Sequence, residues 1–244
     1  MYAVITAGGP IDGEYAARAG TTLKALAPVR GRTMIARTID ALRACGVNRI
    51  AVVGNSAVAE ACAAAAAVTM VPDGGSGAAN VRGALDAWAD DDGLLYLTCD
   101  MPYIDAAALR WFLDRIEPAT LSMPLCDHAA FVRRFPGAPP FGITLAGERV
   151  VNAGVFYLPA DSRARVRTLA TTMFEARKAP WKMATIAGPL VLLRFLLRRA
   201  SVNALEERAR RLLTVPVTAL RNAPPELAFD ADTASDYAYA LEHA

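Results

Sequence analysis

A short apolar run, Tyr2 to Thr6, ends abruptly at Ala7-Gly8-Gly9-Pro10, and this junction constrains the chain more than any other stretch. The run has the length of a buried strand. Two glycines directly after it let the backbone turn sharply and approach a ligand with no Cβ in the way. Backbone N–H groups presented in that manner suit phosphate oxygens, and Lys24, in Thr22-Leu23-Lys24-Ala25-Leu26, can add a full positive charge. A glycine pair alone is a common turn signal. The ordered series of strand, Ala-Gly-Gly, loop, Lys-Ala-Leu and then Pro28-Val29-Arg30-Gly31-Arg32-Thr33-Met34-Ile35 is more specific.

The rest of the first half alternates between two periodicities. Met34, Ile35, Ile39 and Leu42 share one helical face that Gly46 terminates, and Arg49 to Val53 reads as a second strand. Ala57 to Ala67 predicts a helix, Val68 to Val71 a strand, and Val81, Leu85 and Trp88 another helical face. Leu94 to Leu97 is a strand, after which Asp105 can cap a helix carrying Leu109, Phe112 and Ile116. This rhythm predicts an α/β fold with a mostly parallel sheet flanked by helices, and ligands in such sheets bind at the carboxyl ends of the strands. From Thr120 onward, Met123 to Cys126, Phe141 to Leu145 and Val150 to Leu158 read as strands between Pro- and Gly-rich turns, giving the sheet a mixed, partly antiparallel character. Arg163 to Leu213 reads as helical, Thr214 to Leu220 as a last strand and Thr233 to Glu242 as a closing helix.

Two further constellations fall at strand ends. Gly74-Gly75-Ser76-Gly77-Ala78-Ala79-Asn80 precedes a helix; it is either a flexible loop with a cap at Ser76 or Gly77, or a second ligand-facing loop. Leu97-Thr98-Cys99-Asp100-Met101-Pro102 sets a carboxylate at the end of a buried strand, either as a turn cap or as a ligand for a hard cation such as Mg²⁺.

These stretches together resemble the MobA-like (molybdenum-cofactor-guanylyltransferase-like) NTP transferases, nucleotidyltransferases of the glycosyltransferase-A-type, Rossmann-like fold. The similarity covers roughly residues 1–160 and 214–244 and includes the closing Phe229-Asp230-Ala231-Asp232-Thr233-Ala234-Ser235-Asp236-Tyr237, where the usual proline is Ala234. The resemblance implies transfer of an NMP from an NTP to a phosphorylated small-molecule acceptor, such as a sugar 1-phosphate, with release of pyrophosphate. It implies NTP contacts from Ala7, Gly8, Gly9, Lys24, Gly74, Gly75, Ser76 and Asn80. It also implies Mg²⁺ on Asp100 and Asp230, catalytic roles for Lys24 and Asp100, and acceptor contacts from Asn152, Gly154 and Lys182. Asp232-Thr233 is expected to cap the last helix. One departure stands out: relatives carry an arginine soon after the glycine pair, whereas here the loop 10–23 is longer and acidic in its middle, leaving Arg18, Arg30 or Arg32 as substitutes. Two other readings stay open, a glycosyltransferase of the same fold using a nucleotide-sugar and a catalytically degenerate nucleotide-binding protein.

Charge and composition bound the partners. Net charge is +2, which gives no ground for a nucleic-acid partner. Residues 163–211 nevertheless carry twelve Lys/Arg against three Asp/Glu, a local +9. Within 177–213 the apolar run Leu190–Leu197 is interrupted by Arg194, with Arg198 one turn later. Packing with the arginines at the rim, a homodimer interface, or peripheral contact with an anionic membrane all fit this pattern. Four well-separated cysteines and the absence of a basic stretch ahead of the first strand predict a reduced, cytoplasmic setting. The expected organisation is one domain over 1–244 with a helical insertion at about 160–213.

Overall fold

The computed structural model describes residues 1–63, 68–88, 92–176, 188, 193 and 199–244. Its strands are β1 (Tyr2–Thr6), β2 (Pro28–Val29), β3 (Arg32–Thr33), β4 (Arg49–Gly54), β5 (Val68–Pro72), β6 (Leu94–Thr98), β7 (Leu121–Asp127), β8 (Ile143–Leu145), β9 (Glu148–Asn152), β10 (Val155–Leu158) and β11 (Val217–Arg221). Among the described residues, nine of them join in one mixed sheet in the order β5-β4-β1-β6-β10-β7-β9-β8, with β11 also on β7. The two-residue pair β2 and β3 stands apart as an antiparallel clip. Strands β5, β4, β1 and β6 run parallel, as the alternating sequence predicts. β10 is antiparallel to both β6 and β7, which makes the sheet mixed.

Helices α1 (Gly13–Ala19), α2 (Met34–Ala44), α3 (Ser56–Ala63), α4 (Gly77–Asp86), α5 (Ala106–Leu113), α6 (His128–Arg134), α7 (Arg163–Ala176), α8 (Val202–Leu213) and α9 (Ala234–His243) cover the sheet. β1 is the central strand, and its alternation divides the core. Ala3 and Ile5 enter the cluster containing Ile35, Leu42, Leu97 and Phe112, whereas Tyr2 and Val4 enter the opposite cluster with Leu85 and Leu94. A strand buried on both faces must be apolar throughout, and that is why Tyr2 to Thr6 reads as a continuous run.

Several boundaries differ from the sequence expectations. The loop 10–23 contains α1, closed by Gly20 in the left-handed region (φ 67°). α6, capped by Asp127 onto Ala130, follows β7 where a turn was expected. Val150 to Leu158 is two strands, split at Ala153-Gly154: β9 pairs with the end of β7, β10 with its start and with β6. The last strand begins only at Val217, because Thr214 takes a left-handed conformation (φ 52°) that ends α8. The expected helical stretch 163–213 is represented by α7 and α8. Lys182, Arg194, Arg198 and most of the apolar run lie outside the described residues.

Candidate active site

Register places the loops. Thr6 of β1 stands opposite Val53 of β4 and Thr98 of β6, so the three strands finish level and their following residues converge. Ala7 continues the ladder by one bond, its N–H donating to the Val53 carbonyl (2.8 Å), and the chain then turns at Gly8. A Cβ on Gly8 would lie 2.6 Å from Asn80 Nδ2 and 3.2 Å from an Asp73 carboxylate oxygen. Only glycine permits so close an approach to the loop ahead of α4.

Lys24 is brought back to the glycine pair by a short antiparallel stem. Its N–H donates to the Gly9 carbonyl (2.9 Å), Pro10 bridges Leu23, and the Ile11 N–H donates to Thr22 (2.9 Å). The ammonium donates to Asp232 Oδ1 (2.6 Å) and Asp100 Oδ2 (3.2 Å). Burial pushes the Lys24 pKa down, but the charge of Asp100 and the hydrogen bond and charge of Asp232 outweigh it, so the group is held more firmly protonated than a free lysine. Tyr15, buried on α1 and stacked on Tyr237, donates its hydroxyl to the Ala231 carbonyl (3.0 Å). The Ala231 N–H in turn donates to the Asp100 carbonyl (2.8 Å). One residue's backbone therefore ties the C-terminal Asp230–Asp232 turn both to the end of β6 and to α1.

Asp100 Oδ1 and Asp230 Oδ1 are sealed from solvent without a hydrogen-bond partner. Buried carboxylate oxygens are ordinarily satisfied, so two orphans from segments so distant in sequence call for a ligand. Asp230 is raised well above the ordinary carboxylate range, first by burial and then by Asp100 and Asp232, with Lys24 opposing. Gly154 closes this corner: its carbonyl accepts from the Thr98 N–H (2.9 Å), and a Cβ there would lie 2.4 Å from Thr98 Oγ1 and 3.3 Å from Asp230 Oδ1. Hard oxygen donors of this kind fit a divalent cation that shares its coordination with phosphates. Among the described residues no group of three or more His, Cys, Asp or Glu side chains forms a metal cluster on its own.

The second loop is tightly braced. Asn80 Oδ1 accepts from the Gly74 N–H (2.7 Å), Asp73 Oδ1 from the Gly75 N–H (2.9 Å), and Ser76 caps α4 by accepting from the Ala79 N–H (3.2 Å). Gly75 needs its positive φ of 73° for this turn. A cleft of about 660 Å³ runs between this loop, Gly8-Gly9, Lys24 and Asp100.

The structure thus assembles Gly8, Gly9, Lys24, Gly75, Ser76, Asn80 and Asp100 along one cleft, with Ala7 and Gly74 hydrogen-bonded beside it and Asp230 and Gly154 packed against each other behind Thr98. Asn152 is exposed at the end of β9 and is not part of the cleft wall. Arg18 is tied to Glu14 on the same helix (3.0 Å) and Arg32 to Asp40; neither arginine lines the cleft. Asp232 does not cap the last helix. Thr233 does, in a reciprocal capping box with Asp236, which frees Asp232 to pair with Lys24. Asp73, Thr6, Thr98 and Tyr96 also line the cleft and were missed. For Asp73 a signal existed: a carboxylate at the end of a strand and directly before a glycine run.

Fold and site together define an α/β protein whose glycine-rich loops cluster at the carboxyl edge of the parallel strands. The chain belongs to the MobA-like NTP transferase family, whose domain matches residues 3–214. A hypothetical transferase from Thermus thermophilus is 30% identical with a TM-score of 0.83, the match covering 97% of this chain and 98% of that one. A nucleotidyl transferase from Methanothermobacter thermautotroptrophicus shares the fold at 18% identity (TM-score 0.60; 99% and 96% covered). So does a 2-C-methyl-D-erythritol 4-phosphate cytidylyltransferase, also from Thermus thermophilus, at 14% identity (TM-score 0.54; 99% and 97% covered). No curated protein matches the chain. Among the described residues no helix is long and apolar enough to cross a membrane.

Proposed function

We propose that this NTP transferase moves an NMP from an NTP to the phosphate of a small phosphorylated acceptor, with Mg²⁺ held by Asp100 and Asp230. The observation that carries the reading is the pair of orphaned, sealed Oδ1 atoms on Asp100 and Asp230, with the Lys24 ammonium on the other oxygen of Asp100. When bound there, Mg²⁺ supplies charge neutralisation for the phosphates. The Gly8 and Gly9 amides and the N-terminus of α4 offer donors and positive potential to the NTP phosphates, and the Gly74–Asn80 loop faces the nucleoside. Lys24 holds its ammonium where negative charge grows as an acceptor phosphate oxygen attacks the α-phosphorus and pyrophosphate departs. The attacking oxygen is already anionic, so no general base is required. Catalysis is then positioning plus preorganised charge.

Gly154, which lets Thr98 and Asp230 pack closely, and Asn152 and Lys182 remain the acceptor contacts under this proposal. Pyrophosphate release, measured with the four NTPs against a panel of sugar 1-phosphates and other phosphorylated small molecules, tests it. Release that needs Mg²⁺, one NTP and a phosphorylated acceptor is the expected result; no release with any pair defeats the reading.

A further inference from the structure

Beside the cleft lies a second, smaller pocket of about 250 Å³ that the reaction does not use. It opens between one face of the sheet and the helices α4, α7 and α8, and its wall carries no polar atom. Val81 and Tyr96 line both this pocket and the cleft. Tyr96 divides its surface accordingly: the hydroxyl donates to Thr6 Oγ1 (3.3 Å) on the cleft side, and the ring stands edge-on to Phe156 in the apolar wall. Interiors are close-packed, and few voids in them exceed a water molecule. An apolar cavity of about 150 Å³ already accepts benzene. This one is larger and shares a wall with the site of chemistry.

We propose that the pocket is a subsite for a hydrocarbon group carried by the acceptor next to its phosphate. The inference rests on the transferase reading above and narrows its acceptor from any phosphorylated small molecule to an amphipathic one, with a branched or short-chain apolar part. The adjacency through Val81 and Tyr96 is what selects this occupant: these residues border both spaces, so a hydrocarbon group seated against Phe156 and Leu169 would lie next to the phosphate it carries into the cleft. The fully apolar wall excludes a sugar ring, whose hydroxyls would be buried without partners.

The test titrates the full chain calorimetrically with methyl, butyl and octyl monophosphate, at fixed salt and below micelle formation, with the NTPs titrated in parallel. Burial of a methylene strengthens binding roughly fourfold, so butyl phosphate should bind at least about tenfold more tightly than methyl phosphate. The gain should level off by octyl phosphate, once the pocket is full. Leu169→Trp and, separately, Val166→Phe fill the cavity. Each should abolish the gain and leave the binding of methyl phosphate and NTP unchanged, and a single folded variant of the two suffices. Equal affinity along the series overturns the subsite. So does a gain that survives in a filled variant, or one that grows without levelling and is matched by binding to phospholipid vesicles. The NTP titration separates two failures: NTP binding with a flat alkyl series removes the subsite alone, whereas absent NTP binding removes the functional reading as well.

Discussion

Replacing Lys24 with alanine removes an ammonium that bridges Asp100 and Asp232. Its nitrogen is 3.2 Å from Asp100 Oδ2, with both side chains largely buried at 14% and 16% exposure, and 2.6 Å from the 67% exposed Asp232. At an effective dielectric of about 20, the buried contact has a gross attraction of about 5 kcal/mol. Desolvation takes back a large share, and the exposed partner adds little through the solvent. The net cost of Lys24→Ala should therefore be about 2 kcal/mol of stability, a fall in Tm of roughly 4–8 °C for a chain of this size. The catalytic cost should be larger. A preorganised donor aimed at developing charge contributes about 10²–10³ in kcat, so kcat should drop by that factor and KM for the NTP should change less. Steady-state pyrophosphate release gives the split, and differential scanning fluorimetry gives Tm. In the variant Asp100 and Asp232 lose their cation beside Asp230, so added Mg²⁺ should raise Tm more than it does in the wild type. An unchanged kcat, or an effect confined to KM, refutes the reasoning.

Four further expectations follow from the same geometry. Asp100→Asn and Asp230→Ala should each abolish Mg²⁺-dependent turnover with the circular dichroism spectrum preserved; undiminished turnover in either removes that residue from the metal corner. Because the Asp230 carboxyl is raised, its contribution to the metal-free protein is complete below its unfolded value of about 3.9 and fades as pH rises through the folded one. The stability difference between wild type and Asp230→Asn, measured by urea denaturation in EDTA, should thus fall with rising pH; a flat difference contradicts it. Gly8→Ala puts a methyl group against Asn80 and should raise KM for the NTP about tenfold or more, whereas a wild-type KM would show that the loop gives way freely. Thr233→Ala breaks the capping box and should cost about 1 kcal/mol, visible as a Tm shift without loss of the Mg²⁺ dependence of turnover.

What a linear reading could find was what the sheet itself aligns. Gly8, Gly9 and Asp100 follow strands of unmistakable apolar character, and level registers bring the ends of such strands together. α1 escaped because its turn-rich start and acidic residues look like loop, and the contact that fixes it, Tyr15 to Ala231, spans 216 positions. The pairing of Asp232 with Lys24 spans 208 and competes with a local alternative, helix capping, that sequence makes the obvious expectation. The split between β9 and β10 was hidden as well, since Val150 to Leu158 is apolar throughout apart from Asn152 and Gly154. The need for Gly154 to pass against Thr98 and Asp230 is a tertiary demand with no local trace.

The Ala231 backbone, gripped by the Asp100 carbonyl on one side and the Tyr15 hydroxyl on the other, also sets a schedule for the chain's biogenesis. The glycine loop, Lys24 and Asp100 are synthesised early, and Asp230 follows only 130 positions later. At 5–20 residues per second the ribosome takes roughly 7–26 s to cover that interval. Throughout it the nascent polypeptide holds the glycine loop and Asp100 without the turn that closes the corner. The turn that ties Asp100 to α1 is therefore made well after the loops it braces, and until then the Tyr15 hydroxyl and the Asp100 carbonyl lack the partner that Ala231 gives each of them.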